Sequence, residues 1–141
     1  MARWIGIDYG KVRTGIAFTD ANACMAFPHE TVLTEHLWEA LETLAKAAPC
    51  AGFVLGMPDA WSNRIAAETD STQDIRTLQS DLQKKWPHWP VHLVDESFTS
   101  REARFSMVQS GMKKKKREVK GAMDRVAAAL ILQRFLEALP R

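Results

Sequence analysis

Apolar residues along the chain alternate between short continuous runs and helically spaced sets, which predicts strands alternating with helices. The strand candidates lie at 3–8, 14–19, 51–55 and 91–95, with a weaker one around 24–27. The first two are joined by a turn in which Gly10 offers a permissive backbone, and together they are typical of a β-hairpin.

Four helices are predicted from the helically spaced sets. Their ranges are Thr34 to Pro49, about 65 to 86, 99 to 111, and about 122 to 139. Thr34 is a good N-cap residue, and the second helix is polar enough to be largely exposed. The order of elements predicts one α/β domain over residues 1–141, with a mixed central sheet that begins with an antiparallel hairpin and is flanked by helices.

Length and composition favour a soluble intracellular protein. The chain has 141 residues, 46% hydrophobic and 26% charged, which suits a globular domain with a buried core. Asp8 interrupts the apolar N-terminal stretch, and the longest purely apolar run, 126–132, is too short to span a bilayer. We therefore expect a cytoplasmic protein with no membrane partner.

Cysteine and histidine residues give no metal-binding pattern. Cys24 and Cys50 are far apart and form no CxxC motif, so buried free thiols are expected rather than a disulfide or a zinc site. The four histidines form no HxxxH pair. Any metal site would therefore use oxygen ligands.

A concentrated basic segment stands out from the rest of the chain. The formal net charge is +2, yet residues 113–120 (KKKKREVK) alone hold six cations and one anion, which leaves the remainder with a net negative charge. Such a patch suits a polyanionic partner such as nucleic acid. A solvated, flexible loop is the alternative interpretation.

Three carboxylates occupy positions typical of a metal site in an α/β protein. Asp8 and Glu96 end two predicted strands, and Asp124 lies near the start of the last helix on its apolar face. Clustered carboxylates favour a hard divalent cation such as Mg²⁺ or Mn²⁺. Each acid also has a structural alternative, respectively bonding to turn amides, an exposed strand end and the helix dipole.

Four segments in order along the chain carry a family resemblance, and they read GIDYGKVRTGIAFTD, VLGMP, VDESFTS and KKKKREVKGAMDRVAAALILQRFLE. They resemble the bacterial YqgF/RuvX proteins, a family assigned to pre-16S rRNA maturation and related to the RuvC junction resolvases. The resemblance implies a ribonuclease H-like fold. The opening DxGxxRxGxA and closing DxxAAALILQ patterns carry most of its specificity.

The resemblance also implies a function and a set of site residues. Asp8, Glu96 and Asp124 would be catalytic acids that bind Mg²⁺ or Mn²⁺ in a nuclease that hydrolyses phosphodiester bonds during 5′ maturation of pre-16S rRNA. Holliday junction cleavage is the alternative, so structured RNA or branched DNA is the expected partner. The residues expected to contact phosphates are Lys11, Arg13, Lys113, Lys114, Lys115, Lys116 and Arg117.

The sequence departs from the family pattern beside the proposed site. Ser97 stands where family members usually have arginine, and Ala127 stands where RuvC-like enzymes have a fourth acid, a role that Asp95 or Glu102 could take. The loop 59–63 also differs, and its Trp61 is a candidate for stacking on a base, whereas the other four tryptophans are expected to pack internally.

Two other classes of function stay open at the level of sequence. A non-catalytic module that docks on RNA or the ribosome would explain the lysines, and an actin-like phosphotransferase would explain Asp8 and Gly10. Arg13 could brace the hairpin instead of binding phosphate. A monomer or a homodimer fits equally well.

Overall fold

The computed structural model describes residues 2–57, 70–95 and 122–139. In the described ranges, five strands and three helices follow one another along the chain, with a single 3₁₀ turn. They are β1 (Arg3–Asp8), β2 (Arg13–Thr19), β3 (Ala26–Leu33), the 3₁₀ turn (Thr34–His36), α1 (Leu37–Ala47), β4 (Cys50–Met57), α2 (Asp70–Lys85), β5 (Val91–Asp95) and α3 (Ala122–Ala138).

The strands form one mixed sheet in the order β3-β2-β1-β4-β5. β1 pairs antiparallel with β2, and β2 antiparallel with β3, whereas β4 is parallel to both β1 and β5. The predicted α/β class, the opening hairpin and the mixed sheet are thus confirmed. The carboxyl ends of β1, β4 and β5 lie at the same edge because these three strands run in one direction.

Two apolar cores pack on opposite faces of this sheet. One face carries Ile5, Ile7 and Ile16, and α1 and α2 cover it with large aliphatic side chains such as Leu41 and Leu82. The other face is covered by α3. Its buried residues there are Ala128, Ala129, Ile131, Leu132, Phe135 and Leu136, which pack with Ala17 of β2 and Val54 of β4.

The third strand is longer than the sequence indicated. A weak strand was expected around 24–27, but β3 covers Ala26–Leu33 and pairs along the whole of β2. Pro28 and the polar residues after it disfavour a central strand, yet β3 lies at the edge of the sheet, where a missing N–H is tolerated. Position in the sheet therefore overrides local propensity.

The start of the following helix also differs from the prediction. Thr34 does not cap α1, because it opens the 3₁₀ turn and no side chain caps either element. Its hydroxyl instead donates a hydrogen bond to the Gly10 carbonyl oxygen at 2.6 Å. The threonine therefore ties the hairpin turn to the start of α1.

The remaining element predictions agree where they can be compared. β5 and α3 match their expected ranges closely, and α2 is largely exposed apart from a buried stripe of Thr72, Ile75, Leu78 and Leu82. The helix expected at 99–111, the start of the one expected near 65, and Trp61 lie outside the described residues. The other tryptophans pack against the two cores, as predicted.

The cysteine prediction holds for one residue and is wrong for the other. Both thiols are free, but only Cys50 is buried, whereas Cys24 is exposed. Cys24 lies in the turn before β3, where its N–H donates to the Asp20 carboxylate at 2.8 Å. Separately, none of the helices in the described ranges is long and apolar enough to cross a membrane.

Candidate active site

Asp8 is the last residue of β1 and lies at the carboxyl edge of the sheet. Side chains alternate along a strand, so Asp8 shares a face with Trp4 and Gly6. That face is the one covered by α3, because a Cβ at Gly6 would lie 2.9 Å from the Ala128 carbonyl oxygen. The Asp8 carboxylate therefore lies on the α3 side of the sheet, two residues beyond Gly6 along β1.

Asp124 is brought to the same place by the first turn of α3. A Cβ at Gly15 would collide with the backbone carbonyl of Asp124, so the helix rests directly on the β2 backbone there. Gly15 is also the cross-strand partner of Asp8. The backbone of Asp124 thus lies over the Asp8–Gly15 pair, and two acids separated by more than a hundred residues in the chain meet at one sheet edge.

Arg13 links the hairpin to this helix start. Its Nε donates to the Asp124 carboxylate at 3.3 Å, and the two side chains are 37% and 31% exposed. An ion pair this open to solvent contributes little stability, on the order of 0–1 kcal/mol. Its effect is to orient the Asp124 carboxylate. This pair joins the hairpin to α3 and fits the interpretation of Arg13 as a brace.

The turn between β1 and β2 is held by backbone and hydroxyl contacts that the sequence did not reveal. The Thr14 and Thr34 hydroxyl groups are 2.8 Å apart, and the Thr34 N–H donates to the Val12 carbonyl oxygen at 2.9 Å. At Gly10 a Cβ would collide with the carbonyl oxygen of Arg13. Glycine is thus required at position 10 because there is no space for a side chain. From the sequence, Gly10 had been explained by its permissive backbone.

Gly15 is the site residue that sequence reasoning missed. In the sequence it was included only as the second glycine of the DxGxxRxGxA pattern and was assigned no role, yet it allows α3 to approach the sheet at the level of Asp8. A glycine inside a strand often marks a close backbone approach. That signal was present in the sequence, but the element that would approach could not be named without the fold.

Asp8 and Asp124 fit a hard divalent cation by donor chemistry, since both offer carboxylate oxygens. Among the described residues no group of three His, Cys, Asp or Glu side chains could hold an ion. Glu96 lies outside that part of the chain, directly after β5, whose last residue Asp95 pairs with Met57 at the end of β4. Two of the three predicted acids, Asp8 and Asp124, are therefore brought to this edge of the sheet.

The other predicted residues have mixed outcomes. Lys11 is exposed in the hairpin turn next to the site. Ala127, where a fourth acid was considered, is buried against the sheet, and the backbone carbonyl of Asp95 accepts a hydrogen bond from Arg134 at 3.0 Å. Glu102 and the five phosphate-binding candidates of the basic segment lie outside the described residues.

The fold is similar to that of a solved structure. That structure, described as "T. thermophilus RuvC in complex with Holliday junction substrate", aligns with a TM-score of 0.58 over 98% of both chains, at 14% sequence identity. At that identity the likeness concerns the fold alone. The ribonuclease H-like fold predicted from the sequence is thereby confirmed.

The sequence matches identify the family within this fold. Residues 2–138 match the family described as "RuvX: Holliday junction resolvase". A protein of Phocaeicola vulgatus is 37% identical over 98% of this chain and 97% of its own, and one of Bacteroides fragilis strain YCH46 is 35% identical over 97% of each; both are named "Putative pre-16S rRNA nuclease". The chain belongs to the RuvX family.

Proposed function

We propose that this protein is a divalent-metal-dependent nuclease that hydrolyses phosphodiester bonds in 5′ maturation of pre-16S rRNA. The observation that carries the proposal is the meeting of Asp8 and Asp124 over Gly15 at the carboxyl edge of the sheet. The names of the two relatives support the choice of ribosomal RNA over other substrates.

Asp8, Asp124 and Glu96 would hold Mg²⁺ or Mn²⁺, which supplies an activated water and stabilises the charge that develops on the phosphate. Asp8 is fixed by its place in the β1–β2 pairing, and Asp124 by the first turn of α3. Arg13 holds the Asp124 carboxylate through the 3.3 Å ion pair. Asp8 and Asp124 would thus be presented by a strand and a helix rather than by loops.

Backbone phosphates would be held by cations of the hairpin turn and of the basic segment. Lys11 is exposed in the hairpin turn beside Asp8, and Arg13 follows it by two residues. The basic segment with Lys113, Lys114, Lys115, Lys116 and Arg117 would add a longer, sequence-independent contact. Binding of this kind weakens steeply as salt is added.

The test compares two labelled substrates, a 5′-extended ribosomal RNA precursor and a four-way DNA junction, with Mn²⁺, Mg²⁺ or EDTA. Asp8→Asn is expected to lower the cleavage rate about a hundredfold or more, because it weakens a ligand to an ion that contributes several kcal/mol. Glu39→Gln removes an exposed carboxylate from α1 and is the matched control. Cleavage of the RNA that requires metal and Asp8 is the expected result.

Cleavage of the junction instead of the RNA would support the second candidate, a junction resolvase, which the family description favours. A resolvase that cuts two strands symmetrically would act as a homodimer, whereas trimming of one strand needs only a monomer. Sedimentation of the protein with each substrate separates the two. RNA binding without cleavage, unchanged by EDTA, would refute the nuclease and favour a docking module.

A further inference from the structure

A cavity lies at the same edge of the sheet as Asp124 but on the opposite face. It has a volume of about 220 Å³ and is bounded by the end of β1, the start of α1 and one side of α2. A single water in the liquid occupies about 30 Å³, so the cavity has room for a small flat molecule. Of the residues assigned above to metal or phosphate binding, none of those in the described ranges lines it.

One wall of the cavity is aromatic. Tyr9 and Trp38 line it, and both are half-buried because they pack against the core under α1 and α2. Leu37 and Leu78 form a buried apolar floor between the walls. A planar ring could be covered by these side chains and removed from water, as unstacked bases are on aromatic residues of RNA-binding proteins.

The other wall offers hydrogen-bond acceptors. Asp74, Thr77 and Asp81 lie along one side of α2 at spacings of three and four residues, which places them on one helix face. Neither carboxylate forms an ion pair with a residue in the described part of the chain. The ion pair between α2 and α1 joins Lys85 to Glu42. An ionised carboxylate only accepts hydrogen bonds, so this wall favours a ligand with N–H donors and repels a phosphate.

The position of the cavity relates it to the candidate active site. Tyr9 directly follows Asp8, so the two Cα atoms are about 3.8 Å apart while their side chains point to opposite faces of the sheet. Lys11 is exposed in the same hairpin turn, two residues after Tyr9.

We infer that the cavity between α1 and α2 receives a guanine base of the substrate strand, which makes this nuclease selective for the nucleotide next to the cleaved bond. The inference rests on the proposed function. Guanine presents adjacent N1–H and N2–H donors that one carboxylate can accept together, with the ring covered by the aromatic wall. Adenine, cytosine and uracil lack this donor pair.

The test measures binding without cleavage. Fluorescence anisotropy in EDTA, with Asp8→Asn protein, would compare a labelled short oligouridine with versions that carry one guanosine, inosine or adenosine. Guanosine is expected to improve the affinity about tenfold, within the range for a bidentate base contact, and inosine by less because it lacks the N2 amino group. Adenosine is expected to behave like uridine.

Asp74→Asn should reduce the guanosine preference to less than about twofold while leaving oligouridine binding intact, since the change removes one acceptor of the bidentate pair. Asp81→Asn changes the second carboxylate of this wall, which lies on exposed helix surface. Glu39→Gln on α1 is the matched control and is expected to keep the guanosine preference. Equal affinity for all four oligonucleotides would refute the inference. The inference would also be refuted if the protein bound spermidine without any base preference and Asp74→Asn abolished that binding. The cavity would then be a site for amines.

The nuclease proposal and the cavity proposal can be refuted independently of each other. For this purpose the wild-type protein is also assayed for cleavage of the ribosomal RNA precursor with Mn²⁺. Cleavage without a guanosine preference would refute the cavity assignment and leave the nuclease intact. A guanosine preference that Asp74→Asn removes, in a protein that does not cleave, would support the cavity and refute the nuclease.

Discussion

The two faces of the sheet are built on different principles. On the α3 face the contacts nearest the site use residues with little or no side chain. Gly6 lies against Ala128 and Gly15 against Asp124, and Ala17 packs in the same core as Ala128. On the opposite face, large side chains such as Ile7, Leu41 and Phe53 fill the space between the sheet and the helices. The helix on the first face is therefore held at the closest distance that a backbone permits.

The α3 face therefore fixes the position of Asp124, whereas the opposite face contributes more to the stability of the folded protein. A helix that rests on backbone atoms has almost no freedom to shift, so α3 fixes Asp124 relative to Asp8. Large interdigitating side chains bury more apolar area, and each contributes about 1.5–3 kcal/mol when fully buried. Changes on the α3 face should therefore alter activity out of proportion to stability, and changes on the other face should do the reverse.

Gly15→Ala is expected to have the largest combined effect. The new methyl group collides with the Asp124 carbonyl, so α3 must move, and overpacking of this kind costs about 1–3 kcal/mol of unfolding free energy. A displacement of about 1 Å at a catalytic group can lower the rate about a hundredfold. Urea denaturation and RNA cleavage per folded molecule would measure the two effects. Unchanged cleavage would refute the positional role of the α3 face.

Leu41→Ala tests the other face. Leu41 is fully buried under α1, so the substitution should lower the unfolding free energy by about 2–5 kcal/mol through lost burial and a new cavity. Cleavage per folded molecule should stay within about twofold, since the acids are held elsewhere. Glu39→Ala, two residues earlier on exposed surface, is the control for helix propensity. A loss of specific activity equal to that of Gly15→Ala would end the distinction between the faces.

Cys50 gives the core under α1 a dependence on pH. Burial raises the pKa of its thiol, and the nearby Arg3 opposes this only in part, so the folded protein keeps the thiol neutral when the unfolded chain has ionised it. The stability that this contributes is fully present below the unfolded pKa of about 8.5 and is lost as the pH rises through the folded value.

Between pH 7.5 and 9.5 the wild type should therefore lose up to about 1.4 kcal/mol of unfolding free energy that Cys50→Ala does not lose, since one pH unit corresponds to that amount. Urea midpoints of both proteins at the two pH values would measure this. Cys24→Ala, at the exposed cysteine, is the matched control and should follow the wild type. Parallel decline of the Cys50→Ala and wild-type proteins would contradict the assignment.

Arg13→Gln should have the smallest effect on stability. Its ion pair with Asp124 is about one-third exposed on both sides, so its loss should change the unfolding free energy by no more than about 1 kcal/mol. Cleavage should fall further than with Lys46→Gln, which removes a cation from α1, because Arg13 orients an acid of the site. Equal cleavage by the two variants would show that the ion pair has no part in the site.

Much of this fold could be predicted from the sequence because its central strands are continuous apolar runs and α3 has a clear apolar pattern. β3 was underestimated because Pro28 and its polar neighbours resemble a loop, and only the edge position makes them a strand. Asp8 and Asp124 were identified as acids at element ends. The reason that they meet, the backbone contact at Gly15, depends on the tertiary approach of two distant segments, which local patterns do not encode.

The contact between α3 and the opening hairpin also has a consequence for the order of events during synthesis. Arg13 and Asp124 are 111 positions apart, so a nascent chain on the ribosome has made all five strands of the described sheet long before the helix that covers Ala17 and Val54 exists. Until that helix emerges, the face beside Asp8 stays open and the pair of acids is incomplete. Premature chain termination before position 124 would therefore yield a product that lacks both Asp124 and the helix that carries it.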